Sequence, residues 1–156
     1  MNTLKTSPLP VRLCTLGESH LDKVMEIERR VYCFPWTRAI FRNCLQSGHL
    51  ALLMKQGRNI IGYGIVNITR KEAHLLNICI APEQQSHGLG RSLLRTLIKL
   101  SCNSGAQCMF LEVRPSNTVA IALYHSEGFN EIDRHRHYYP AQNGYEDALV
   151  MGIEFS

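Results

Sequence analysis

Between His74 and Leu100 the chain changes character once, and that change limits what it can fold into. HLLNICIA, from His74 to Ala81, is almost unbroken in apolar residues, which is how a strand covered on both faces reads. The loop that follows holds Gly88 and Gly90. From Leu89 onward, Leu93, Leu94, Leu97 and Ile98 recur at helical spacing, and the pattern stops near Gly105. A doubly covered strand feeding a helix predicts helices layered on a sheet, an α/β architecture.

The rest of the chain is consistent with that layering. VRLCTL reads as a first strand, and Thr15 and Glu18 stand at capping-box spacing before a helix with Leu21, Val24, Met25 and Val31 on one face. After Pro35, Thr37 is the expected N-cap of a second helix that turns Ile40, Phe41, Cys44 and Leu45 inward until Gly48. LALLMK and IIGYGIVNIT are strands joined by QGRN, and HLLNICIA follows as the next. CMFLEVR is a strand stopped by Pro115; Ser116 or Asn117 can cap the helix TVAIALYHSE, with Gly128 at its end. FNEIDRHRHYY and YEDALVMGIEF close the order as two strands around a turn at PAQNG.

Composition excludes several classes. With 156 residues, 45% hydrophobic content and no repeat or linker, residues 1–156 are expected to form one domain. No window reaches the roughly 18 to 20 apolar residues of a membrane helix, and MNTLKTSPLPVRL lacks the apolar block of a secretory signal, so a cytoplasmic location without membrane contact is expected. Six cysteines without a C-x-x-C pair point to reduced structural thiols. The net charge of +4 is scattered apart from DRHRHYY, so no direct nucleic-acid binding is expected. An acidic or phosphorylated ligand, or a ribosome-associated partner, is compatible with it. His135 and His137 alternate with no further ligand at suitable spacing, so no metal is expected.

A glycine loop between strand and helix places unobstructed N–H groups at the positive end of the helix, which suits a phosphate. The dinucleotide fingerprint fails because Leu93 stands where a third glycine belongs, and Arg91-Ser92 is not the Lys-Ser/Thr pair of a P-loop. A tight turn without a ligand would look the same by itself.

The wider pattern is more specific. QSHGLG, from Gln85 to Gly90, is similar to the Q/R-x-x-G-x-G/A loop of the GCN5-related N-acetyltransferases, and it lies between the fourth strand and the third helix as in that family. The resemblance continues through LEVRPSNTVAIALYHSEGF and YYP followed by EDALVM, and so covers nearly the whole chain. It implies a mixed, mostly antiparallel sheet of about seven strands with about four helices, and a splayed strand pair that forms an acetyl-CoA slot. Gln85, Ser86, His87, Gly88, Leu89, Gly90 and Arg91 would hold the pyrophosphate, although Ser86 and His87 stand where basic or amide side chains are common. The backbone around Ile78, Cys79 and Ile80 would pair with the pantetheine arm and supply an N–H to the thioester oxygen. Within the family, FPW and YYP resemble members that acetylate the N-terminal alanine of a small-subunit ribosomal protein.

Roles for individual side chains follow from that resemblance. Glu112 stands in an apolar strand, where a carboxylate needs a partner or a task; the family makes it the general base, directly or through water. Tyr124 has helix-packing spacing by sequence alone, and the resemblance gives its hydroxyl to the departing thiolate. Asn117 would cap its helix and approach the coenzyme arm. Cys79 is a possible nucleophile, though direct attack by the amine is the family's route. Phe34, Trp36, Tyr138 and Tyr139 are the expected walls of a slot for a protein N-terminus. Glu28, Arg29 and Arg30 read as a solvated helix face that could touch substrate. A lysine or small-molecule amine as acceptor, and a non-catalytic acyl-CoA-binding domain, are the competing readings.

Overall fold

In the computed structural model, which describes residues 9–156, β1 (Val11–Thr15) is followed by α1 (Leu21–Val31) and α2 (Arg38–Gln46). Then come β2 (Leu50–Gln56), β3 (Asn59–Thr69), β4 (Glu72–Ile80), α3 (Leu89–Asn103), β5 (Cys108–Val113), α4 (Thr118–Ser126), β6 (Asn130–Ala141) and β7 (Gly144–Glu154). They form a seven-stranded sheet in the order β1-β2-β3-β4-β5-β7-β6. The β4–β5 pair is parallel and every other neighbouring pair antiparallel. The expected mixed sheet with four helices is therefore observed. Residues 1–8, and with them most of the stretch read for a signal, lie outside the described residues.

Each face of the sheet is covered by different helices. Leu93, Leu94 and Leu97 of α3 and Tyr124 of α4 pack with Leu75, Met109 and Leu111 on one side. Leu21, Val24 and Met25 of α1 and Phe41 of α2 pack with Leu53, Tyr63 and Ile65 on the other. Gly64 lets α3 come close: a Cβ there would stand 2.6 Å from Leu97 Cδ1. Among the described residues no helix is long and apolar enough to cross a membrane.

Three local expectations need correction. The Thr15–Glu18 capping box does not form, because sheet pairing runs on through Leu16, whose N–H donates to Ala51 O at 3.0 Å. Glu18–His20 instead makes a single 3-10 turn, closed by Gly17 N–H donating to His20 Nδ1 at 2.9 Å. Ile40 is 41% exposed rather than inward, while Thr37 does cap α2 by accepting from Ile40 N. Pro140 belongs to β6, opposite Tyr145, and the turn shrinks to Gln142 and Asn143. An edge strand has no outer neighbour to miss a proline N–H.

Candidate active site

The sheet opens between β4 and β5. Their parallel pairing ends at Leu75–Leu111, yet β4 runs on to Ile80 and β5 to Val113. Leu76 is an extra residue against β3, since Ile65 pairs with Asn77 and Val66 with Leu75. Such a bulge bends its strand and reverses the faces of the side chains beyond it. Leu75 thus faces α3, whereas Cys79 faces α1 and Ile78 and Ile80 return to the α3 side.

Main-chain groups follow the same alternation. Ala81 N–H donates to Ile61 O of β3 at 2.8 Å, so the period of two turns the N–H and C=O of Ile78 and Ile80 toward the gap. Both carbonyls are taken by side chains: Tyr32 Oη donates to Ile78 O at 2.8 Å, and Gln85 Nε2 to Ile80 O at 3.0 Å. Their N–H groups remain on the open edge. Cys79 turns its backbone to β3 and its thiol into the core, where burial pushes its pKa up to about 12. Such a thiol is protonated at neutral pH.

Beneath the bulge lies a carboxylate that the sequence reading put on a solvated face. Glu28 is 1% exposed. Its Oε1 accepts from Tyr63 Oη at 2.7 Å and Asn77 Nδ2 at 3.0 Å, and its Oε2 from Trp36 N at 2.9 Å. Donors aimed at a buried carboxylate offset its desolvation. Positions 21, 24, 25 and 28 share one face of α1, so the signal was a charge inside an apolar stripe. Arg29 and Arg30 are exposed, as a solvated face requires.

The loop ahead of α3 is a backbone cradle. Gly88 is its N-cap at φ 77, a left-handed conformation that favours glycine, and Ser86 before it has φ 67. Ser92 N–H donates to Gly88 O at 3.1 Å, which leaves the amides of Leu89, Gly90 and Arg91 as the unpaired donors of the first turn. A Cβ on Gly88 would meet nothing within 4 Å, so that side of the loop is open. Ser86 and His87 are exposed beside it. Arg91 sends its guanidinium elsewhere, to Ser126 Oγ at 2.8 Å and Glu127 Oε2 at 3.2 Å. Only its main chain serves the cradle. An anion such as a pyrophosphate fits these donors.

Glu112 and Tyr124 lie on opposite faces of the sheet. Glu112 alternates with the buried Leu111 and Val113, so it points away from α3. It is paired with His74 of β4, Oε2 to Nε2 at 2.5 Å. Its charge helps hold the phenols of Tyr138 and Tyr139 above their usual pKa, after burial as the main cause. Tyr124 is buried on α4, and burial raises its phenol to about 12. The Tyr32 hydroxyl, which donates to Ile78 O, lies on the gap side of β4. Asn117 caps α4 by accepting from Ala120 N at 3.3 Å.

Of the four expected slot residues, two are joined through a residue the sequence reading left without a role. Arg114 places its guanidinium 5.4 Å from the Phe34 ring centre and 4.5 Å from that of Tyr139, and donates to Pro140 O at 2.9 Å. It ties the FPW segment to YYP. Tyr138, 49% exposed, packs edge-on against Tyr139. Trp36 does not join them: its ring meets Phe41 edge-on at 5.0 Å in the α1–α2 core. Among the described residues no group of three or more His, Cys, Asp or Glu could hold a metal ion.

The strand pair parts beside a loop of unpaired amides, and residues 21–129 match the model of the acetyltransferase (GNAT) family. The chain belongs to that family and is an acetyltransferase. Over 144 residues it is 38% identical to the ribosomal protein bS18-alanine N-acetyltransferase of Escherichia coli strain K12, an alignment covering 92% of this chain and 97% of the relative. The crystal structure of the Escherichia coli ribosomal-protein-alanine N-acetyltransferase superposes with a TM-score of 0.88 at 37% identity, covering 94% of this chain and 95% of the other. Salmonella typhimurium yncA, solved with its cofactor acetyl-CoA, shares the fold at 18% identity, with a TM-score of 0.79 over 94% of this chain and 95% of the other.

Proposed function

We propose that this enzyme transfers an acetyl group from acetyl-CoA to the α-amine of a protein N-terminus, with the N-terminal alanine of ribosomal protein bS18 as substrate. One observation carries the reading: β4 and β5 separate after Leu75–Leu111, and Glu112 follows directly on β5. The relative that is 38% identical, and covered over 97% of its length, supplies the substrate class. The coenzyme, carrying the acetyl group as a thioester, would be held by the main chain of residues 85–91 and by the open amides of Ile78 and Ile80. Asn117 stands at the start of α4 to meet its arm.

The residues then divide the proton work. An amine N–C bond forms as the C–S bond breaks; the amine proton goes to a Glu112 carboxylate oxygen, and the sulfur leaves as thiolate. With a free α-amino pKa near ~8, roughly a tenth of the acceptor is already neutral at pH 7, against far less for a lysine near ~10.4. The acceptor chosen therefore relaxes the demand on Glu112. Tyr124 donates a hydrogen bond to the sulfur rather than its proton. Moving a proton from a phenol at about 12 to a thiolate whose acid is near ~8.5 is uphill by about 5 kcal/mol. Phe34, Tyr138 and Tyr139 wall the entrance, with Arg114 as the bolt between them.

Turnover of Glu112→Gln and Tyr124→Phe at saturating acetyl-CoA and Ala-initiated peptide tests the assignment. Glu112→Gln falls roughly a hundredfold and Tyr124→Phe roughly tenfold, with acetyl-CoA dissociation constants nearly unchanged. Wild-type rates in both would remove the chemistry from these side chains.

A further inference from the structure

Glu112 is held by a second titratable group. The His74 ring is stacked on Phe110, 4.2 Å between centres and 18° between planes, which fixes the direction of Nε2 toward Glu112 Oε2. The contact exists because β4 and β5 are still in register here: His74 stands opposite Phe110, and Glu112 follows two residues later on the same face. One residue past Leu75 the bulge begins. The pair therefore occupies the closed end of the gap, with side chains 25% and 15% exposed. Around it, β6 brings Tyr138 and Tyr139, with His135 stacked on Tyr138. Arg114 lies beyond Tyr139, Glu72 precedes His74 on its own face of β4, and β3 sets the uncharged Asn67 opposite it.

We propose that His74 is the positioning residue of Glu112, an inference that rests on Glu112 accepting the amine proton. A neutral imidazole donates Nε2–H to Oε2, fixes the carboxylate plane and leaves Oε1 free to take the proton. The pair then carries one negative charge against the positive charge that grows on the attacking nitrogen. An amide in place of the imidazole can make the same donation, and a methyl group cannot.

Turnover of His74→Gln, His74→Ala, His135→Gln and Glu112→Gln, each measured at about pH 8 at saturating acetyl-CoA and peptide, separates the possibilities. Glutamine can still donate to Glu112, so His74→Gln keeps turnover within roughly threefold. His74→Ala loses the tether and falls roughly tenfold at about pH 8, with the acetyl-CoA dissociation constant unchanged. His135→Gln keeps the wild-type rate. A His74→Gln rate as low as that of His74→Ala, or wild-type turnover in His74→Ala, overturns the role of His74 while a slow Glu112→Gln leaves the general-base reading standing. A wild-type rate in Glu112→Gln overturns both.

Discussion

Replacing Glu28 by leucine removes the acceptor that Tyr63 Oη, Asn77 Nδ2 and Trp36 N share while roughly keeping the volume. Tyr63 is fully covered and Asn77 is 8% exposed, so neither donor reaches water without local opening. Each buried donor left unpaired costs about 1–3 kcal/mol, and the leucine regains part of this because no carboxylate has to be desolvated. The net loss expected is about 3 kcal/mol, a large share of the roughly 5–15 kcal/mol that holds a domain together. Glu28→Gln keeps one amide oxygen but points an N–H₂ at one of the same donors, for a loss of about 1–2 kcal/mol. Urea unfolding reports this directly, because the single tryptophan, Trp36, sits at the network. The midpoints should order as wild type, then Gln, then Leu, with the slope unchanged. Adding Tyr63→Phe to Glu28→Leu deletes one orphaned donor and should recover about 1 kcal/mol. A Glu28→Leu protein within about 0.5 kcal/mol of wild type would refute the claim that this carboxylate anchors the bulged strand.

Two further expectations concern the cradle and the helix clamp. Gly88→Val forces a branched side chain into φ 77 and onto the open side of the loop, so acetyl-CoA affinity measured by calorimetry should fall at least about tenfold with the fold retained. Glu127 is held below the usual carboxylate range by its hydrogen bond to Arg95, so its ionised form is favoured in the folded state. That contribution is present above the unfolded carboxylate pKa of about 4.3 and is lost as pH falls through the lower folded value. Glu127→Gln should therefore lower the unfolding midpoint at pH 7 and approach wild type as the pH falls through that lowered value, where a gap of unchanged size would contradict the clamp.

The order of strands and helices was legible because each element carries its own period and punctuation: Leu93, Leu94 and Leu97 on a helix, Thr37 and Asn117 as caps, Gly48 and Gly128 at left-handed ends. Register was not. Nothing in HLLNICI marks Leu76 as the bulged residue, since that depends on how β3 lines up against it. The faces of Asn77 and Cys79 were consequently unreadable, and with them the network around Glu28. Glu28 itself left a trace, a carboxylate at a stripe position of α1, which invited the wrong reading because charged residues are usually exposed. The His74–Glu112 pair joins residues on two strands with a helix between them, so only the parallel alignment brings them together. Arg114 was hidden for the same reason: its partners Phe34 and Tyr139 lie far apart in the chain.

The proposal that the acceptor is a protein N-terminus is tested most directly by a pair of peptides. One begins with the free N-terminal alanine of ribosomal protein bS18 and contains an internal lysine; the other is the same peptide with its α-amine blocked. Each is incubated with the enzyme and acetyl-CoA, and mass spectrometry after digestion locates the acetyl group. The free peptide should be acetylated at its α-amine, and the blocked one should react at least about a hundredfold more slowly, in keeping with the smaller neutral fraction of a lysine amine. Comparable rates on the two peptides, or faster acetylation of the blocked one at lysine, would contradict the N-terminal reading and leave an acetyltransferase with a different acceptor.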